Sequence, residues 1–173
     1  MSHDVAHKSW WQSFEVVFGI PFLVAIALQR IAPIPLPGGS LTPARIAAGA
    51  ILLVVGVGVA VLARREFSRY GQPTDPGLPT SQIVSTGVFS ISRNPLYLGG
   101  VLILAGISLA LNLAWVIILL IPSLVACHYI LITPEEGYLA ARFGEQYRIY
   151  AATVHRWIGR KNRRSNVAAK LSQ

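Results

Sequence analysis

Stretches of this chain are apolar at almost every position, and their length, not an amphipathic rhythm, is the signal. FEVVFGIPFLVAIALQRI (14–31) and IAAGAILLVVGVGVAVLA (46–63) stand apart, and a longer run extends from Leu96 to Ile132. A helix crosses the hydrocarbon layer in about 20 residues, so the last run is too long for one crossing. Its break falls at Leu111-Asn112-Leu113, which predicts a tight hairpin turning at Asn112 with both arms near the short limit for a span. Pro21 in the first stretch is tolerable because neighbours satisfy the freed carbonyl, and Pro122 is placed to kink the fourth. After Pro134, Leu139, Phe143, Tyr147, Tyr150 and Val154 recur at helical spacing with charges between them. Proline at a helix start with Glu135 and Glu136 in the first turn suits the N-terminal dipole, so an amphipathic tail helix at the interface is expected. The expected fold is an all-α membrane bundle of about four transmembrane helices. Residues 1–133 form its membrane part, and 134–173 form the interfacial helix and basic tail.

Charge then sets the orientation. Arg64, Arg65, Arg69 and Arg93 lie between spans two and three, and Arg142, Arg148, Arg156, Arg160, Lys161, Arg163, Arg164 and Lys170 follow span four. The loop between spans one and two holds only Arg30 and Arg45, and the Asn112 turn holds no cation. An even number of crossings with both termini in the cytoplasm satisfies this bias. Composition agrees: 53% of residues are apolar and 13% charged, with mean hydropathy +0.54. The net charge of +8 would suggest nucleic acid in a soluble chain, but no basic–aromatic groove accompanies it. Cys127 is the only cysteine, which excludes a disulfide framework. The first apolar stretch lacks a small-residue cleavage signature and is expected to be retained. The connector FSRYGQPTDPGLPTSQIVSTG (67–87) is too rich in proline and glycine for a helix interior.

Both ends of a hairpin lie on one side, so Arg93 and Tyr97 at its entrance can meet Glu135 and Glu136 at its exit. Arg93 and Tyr97 are one turn apart on one face, and a guanidinium with a phenol suits a carboxylate. A snorkelling interfacial arginine is the competing reading. The Glu pair opposes the local charge trend. It either stabilises the helix start and pairs with Arg142 or Arg93, or one carboxylate binds a cationic ammonium or ribose hydroxyls while the other anchors a nearby arginine. Helical register puts Glu136 with Leu139 and Phe143 on the membrane-facing side. His128 lies about two turns inside span four, where an ionisable group is a site candidate as well as a packing histidine. His3, His7 and His155 do not complete a metal set with it. Gly56 and Gly58 lack the third glycine of a nucleotide fingerprint and suit helix packing. Gly99, Gly100 and Gly106 serve the same purpose or let a ligand approach.

These residues carry a resemblance. Thr86, Gly87 and Phe89, then Arg93-Asn94-Pro95, Tyr97 and Gly99, are followed by an apolar hairpin. Glu135, Glu136, Leu139, Phe143, Gly144, Tyr147 and Tyr150 come next, with Val154 and Arg156 beyond. Over residues 67–158 the chain resembles the membrane-integral methyltransferases that include isoprenylcysteine carboxyl methyltransferase and the phospholipid methyltransferases. The resemblance implies S-adenosyl-L-methionine as methyl donor, leaving as S-adenosyl-L-homocysteine. It also implies an isoprenylcysteine-like or phospholipid-like acceptor entering from the bilayer. It makes Arg93, Asn94, Tyr97, Gly99, His128, Glu136 and Tyr147 candidate cofactor-binding residues, and Glu135, Glu136 and Arg156 candidate catalytic ones. It implies a multi-pass protein, in a bacterium one of the inner membrane, with its site facing the cytoplasm. The chain departs from the pattern at Leu131-Ile132-Thr133-Pro134, where a basic residue often stands, and at Trp157-Ile158-Gly159, where a proline is common. Both departures count against an isoprenylcysteine carboxylate as acceptor. A non-catalytic membrane scaffold or small-molecule sensor of the same shape is the alternative.

Overall fold

The computed structural model describes residues 11–73 and 78–161, and among these the chain is helical without a β-strand. A π-helical turn, Glu15–Gly19, runs into α1 (Ile20–Ile31). α2 (Thr42–Arg69) is followed by the irregular connector and a 3-10 turn at Gly87–Ser90. α3 (Pro95–Leu111) and α4 (Ala114–Ala126) form the hairpin. A second π-helical turn, Cys127–Ile132, joins α4 to α5 (Thr133–Phe143), and α6 is Glu145–Thr153. The runs Gly39–Arg69 and Ala114–Phe143 are long and apolar enough to cross a membrane, and Pro95–Leu111 is a shorter apolar helix.

The tightest packing is between α2 and α3, which run antiparallel. Gly49 and Gly56 on α2 oppose Gly106 and Gly99 on α3, a seven-residue spacing on both helices. A Cβ on Gly106 would sit 2.6 Å from the Leu53 amide nitrogen, and one on Gly49 equally close to that of Ala110. Small residues therefore let the two backbones touch, the arrangement that drives helix association where lipid already surrounds every apolar side chain.

At the hairpin, Asn112 takes the left-handed conformation (φ 60°) that ends α3. Its Oδ1 accepts the Leu36 amide at 2.8 Å, so the same residue that turns the chain also captures the loop after α1. The Trp115 indole donates to the Ala32 carbonyl at 2.7 Å, and Arg45 donates to the Leu109 carbonyl.

Both π-helical turns end two residues before a proline, Pro21 and Pro134. A proline ring clashes with the carbonyl four residues earlier. Those carbonyls belong to Val17 and Ile130, each inside a widened turn. The second turn is fastened by the Thr133 hydroxyl and amide, both donating to the His128 carbonyl.

The tail differs from the single interfacial helix read from periodicity. α5 continues directly from the apolar helix, and Gly144 (φ 52°) breaks α5 from α6. The α2 helix also runs through Arg69, past the expected start of the irregular connector. The basic tail beyond Lys161, with Arg163, Arg164 and Lys170, lies outside the described residues, as do His3 and His7.

Gly106→Ala should lower the thermal stability of detergent-solubilised protein by about 1–3 kcal/mol, because the added methyl meets backbone that must shift. Gly58→Ala, which meets nothing within 4 Å, should be neutral or stabilising by up to about 1 kcal/mol.

Candidate functional site

Pro95 at the first turn of α3 keeps the residue before it out of the helix, so Ser92, Arg93 and Asn94 form a short bent segment at the helix mouth. From it the Arg93 side chain turns inward and is only 8% exposed. Its Nη1 lies 3.0 Å from Glu136 Oε1 and donates to the Tyr147 hydroxyl at 2.8 Å. Arg156 grips the same carboxylate from outside, with Nε to Oε1 at 2.9 Å and Nη2 to Oε2 at 2.8 Å. Glu136 is thus one anion between two guanidinium groups from different parts of the chain. Arg93 Nε is buried and has no hydrogen-bond partner among the described residues.

One residue earlier, Glu135 forms a separate pair. The Tyr97 hydroxyl donates to Glu135 Oε2 at 3.2 Å. The Phe14 ring lies nearly parallel to Tyr97 at 6.4 Å and stacks on Phe18 at 4.6 Å. Phe14 is seated over Gly100, where a Cβ would collide with its ring.

The electrostatics follow from burial. α5 begins beyond the apolar turn that ends at Ile132, and there burial pushes the Glu135 carboxyl up to about 7. The Tyr97 hydrogen bond pulls it back, and the Glu136 charge adds to the rise. Burial raises the Tyr147 hydroxyl to about 12, aided by Glu136 and opposed by Arg93. Tyr150 is shifted upward, first by burial. The hydrogen bonds to Glu136 hold Arg156 charged more firmly.

Behind the ion network sits a layer of positioning contacts. Tyr150 donates to the Phe89 carbonyl at 2.8 Å, and Phe89 packs in a cluster with Ala63 and Val84. The Thr86 hydroxyl donates to Glu66, whose side chain is 9% exposed, and Tyr70 meets the same hydroxyl at 2.9 Å. A Cβ on Gly87 would stand 3.0 Å from the Glu66 carboxylate, and its φ of 55° also calls for glycine. The Thr86-Gly87-x-Phe89 step therefore docks the connector on α2.

Arg93, Tyr97, Glu135, Glu136, Tyr147 and Arg156 thus gather at one end of the helices. Three candidates are placed differently. The Asn94 amide donates to the Arg156 carbonyl at 3.1 Å. Gly99 faces α2, where a Cβ would lie 2.9 Å from the Gly56 carbonyl. His128 meets the Tyr129 ring edge-on, and its carbonyl takes the Thr133 hydroxyl. Glu136 meets the two arginines, and Leu139 and Phe143, which follow it in the same helix, pack with Tyr147, Tyr150 and Val154. Phe14, Glu66 and Ser92 were not read from the sequence. Glu66 had one signal, a carboxylate beside Arg64 and Arg65 at the end of an apolar helix.

The family model for phospholipid methyltransferase matches residues 44–146, from the first turn of α2 into α6. That match covers more than half of the chain and includes Arg93, Tyr97, Glu135 and Glu136. No curated protein and no solved structure matches. The chain belongs to the phospholipid methyltransferase family.

Removing the shared anion should be costly. Glu136→Gln leaves the buried Arg93 without its counter-charge and should lower stability by at least about 2 kcal/mol. Glu145→Gln breaks a pair with Arg148 in which both side chains are 75% exposed, and should change stability by less than about 0.5 kcal/mol. Chemical denaturation in one detergent compares the two.

Proposed function

We propose that this methyltransferase uses S-adenosyl-L-methionine and methylates a lipophilic acceptor that reaches the site from the bilayer. One observation carries the reading. A buried guanidinium with an unmet N–H stands beside a phenol, in reach of a second, separately held carboxylate. The carboxylate of a zwitterionic amino-acid end asks for such a planar donor, and the separately held carboxylate is left for proton transfer.

The residues fit that cofactor on the orphaned Arg93 Nε, since a buried donor without a partner is costly unless a ligand meets it. Arg93 would hold the carboxylate, and Tyr97 and Tyr147 would bound the pocket. When bound, the cofactor supplies a methyl group on a cationic sulfur, open to in-line displacement. The protein has only to align the acceptor and exclude water. Glu135 can take a proton from an acceptor that carries one, and the Tyr97 hydroxyl holds that carboxylate in place. Phe14 and Phe18 shield this pair on the apolar side. Glu136 keeps Arg93 and Arg156 oriented, and Arg156 borders the site from the solvent side.

The same reading takes α1 to α4 as four spans with both termini in the cytoplasm. Arg64, Arg65 and Arg69 at the end of α2 support it, since they share the side of Arg93 and α5. Residues 1–133 then form the membrane part, and α5, α6 and the tail complete the site.

Calorimetric titration of detergent-solubilised protein with S-adenosyl-L-homocysteine tests the function, and binding in the micromolar range is the expected result. No binding up to millimolar concentration would refute the cofactor. Binding without turnover on phospholipid-amine, prenylcysteine and small-thiol acceptors would favour the sensor. Arg93→Ala should weaken binding by about ten- to hundredfold, the loss of one charge-assisted contact. Arg148→Ala, which removes an exposed partner of Glu145, should leave it unchanged. Glu135→Gln should slow turnover at least about tenfold in protein that remains monodisperse. For topology, reporters fused at residue 38 and at the C-terminus should report opposite sides of the membrane; a shared side would show the span count to be wrong.

A further inference from the structure

The segment after α6 folds back on itself as a tight turn. The His155 amide donates to the Gly159 carbonyl at 2.8 Å, the Lys161 amide to the Thr153 carbonyl at 2.8 Å, and Val154 and Arg160 form an antiparallel bridge. Arg156 and Trp157 occupy its tip. The turn rests on the segment that opens α3: the Arg93 amide donates to the His155 carbonyl at 3.1 Å, and the Gly159 amide to the Ile91 carbonyl at 2.8 Å. Two side chains then converge on one further carbonyl, that of Arg156. Asn94 Nδ2 reaches it at 3.1 Å and Ser92 Oγ at 3.3 Å, while the Asn94 amide donates to Ser92 Oγ at 3.1 Å. Ser92 is 2% exposed and Asn94 8%.

Nothing about an arginine side chain requires its own carbonyl to be held twice. The backbone at residue 156 is pinned from behind while its guanidinium forks onto Glu136 in front. Arg156 is 43% exposed, and an exposed fork loses most of its value when its backbone wanders. A fixed backbone removes that loss, because the two parallel N–H donors meet both carboxylate oxygens without a search.

We propose that Asn94, seconded by Ser92, is a positioning residue: it latches the C-terminal turn so that Arg156 stays on Glu136 and the site's solvent side stays closed. Asn94 acts through the Arg156 carbonyl and does not itself touch the methyl donor. The proposal rests on the methyl-donor reading for its effect on binding, but the latch is a property of the chain alone.

The test uses the full-length protein in detergent and two readouts. Limited trypsin cleavage after Arg156 and Arg160 reports the latch. Asn94→Asp, which keeps the size and loses the donor, should be cleaved about tenfold faster than the parent chain. Ser92→Ala, which removes only the weaker contact, should fall between them and serves if Asn94→Asp does not fold. The second readout is a double-mutant cycle on S-adenosyl-L-homocysteine affinity. Asn94→Asp and Arg156→Ala should each weaken binding about tenfold, and the double variant should be little worse than either. A merely structural asparagine gives additive losses, and that result overturns the latch, as does unchanged cleavage. If the parent chain does not bind the donor analogue, the methyl-donor reading fails, and the cleavage comparison decides the latch by itself.

Discussion

The arrangement depends on a single carboxylate shared by two guanidinium groups. Glu136 lies on α5, Arg93 at the mouth of α3, and Arg156 in the turn after α6. Each arginine is presented on backbone that the other's segment hydrogen-bonds, so the three parts are closed into one unit. In the partly dry setting of Glu136, two cations on one anion leave a net positive charge. That excess favours an anion nearby. Neighbouring Glu135 answers to a phenol and not to an arginine, which keeps the two adjacent carboxylates chemically distinct.

The helices make this meeting possible through their backbones. Because Gly49, Gly56, Gly99 and Gly106 let α2 and α3 touch, the Arg69 end of α2 lies close to the segment that precedes α3. Glu66 uses that closeness to hold Thr86, and the Phe89 carbonyl then receives Tyr150. Tyr147, on the same helix as Tyr150, is thereby set against Arg93. A packing motif in the apolar layer and an ion network outside it are parts of one construction.

The hairpin was legible because one residue type solves its problem. An asparagine alone in an apolar run can adopt the left-handed turn and use its amide on the chain, and Asn112 does both. The meeting of Arg93 with the Glu pair was legible too, since a hairpin returns its ends to one side. The break at Gly144 was hidden by its own neighbours. Leu139 and Phe143 before it and Tyr147, Tyr150 and Val154 after it pack into one cluster, so the helical spacing persists across two helices. The role of Asn94 was out of reach because its partner is a backbone carbonyl 62 positions away, which no pattern of side chains announces.

One consequence lies in the unbroken path from Ala114 to Phe143. No loop separates the apolar layer from the carboxylates, so the helix is a lever with its pivot near the Asn112 turn. From that pivot Glu136 is about 36 Å away at helical rise, and a tilt of about 5° swings it by about 3 Å. That is a full hydrogen-bond length, enough to separate Glu136 from Arg93. Bilayer thickness acts on the tilt of a long apolar helix, alongside the packing of that helix on its neighbours. The lipid that surrounds this chain therefore has a mechanical hand on its ion network.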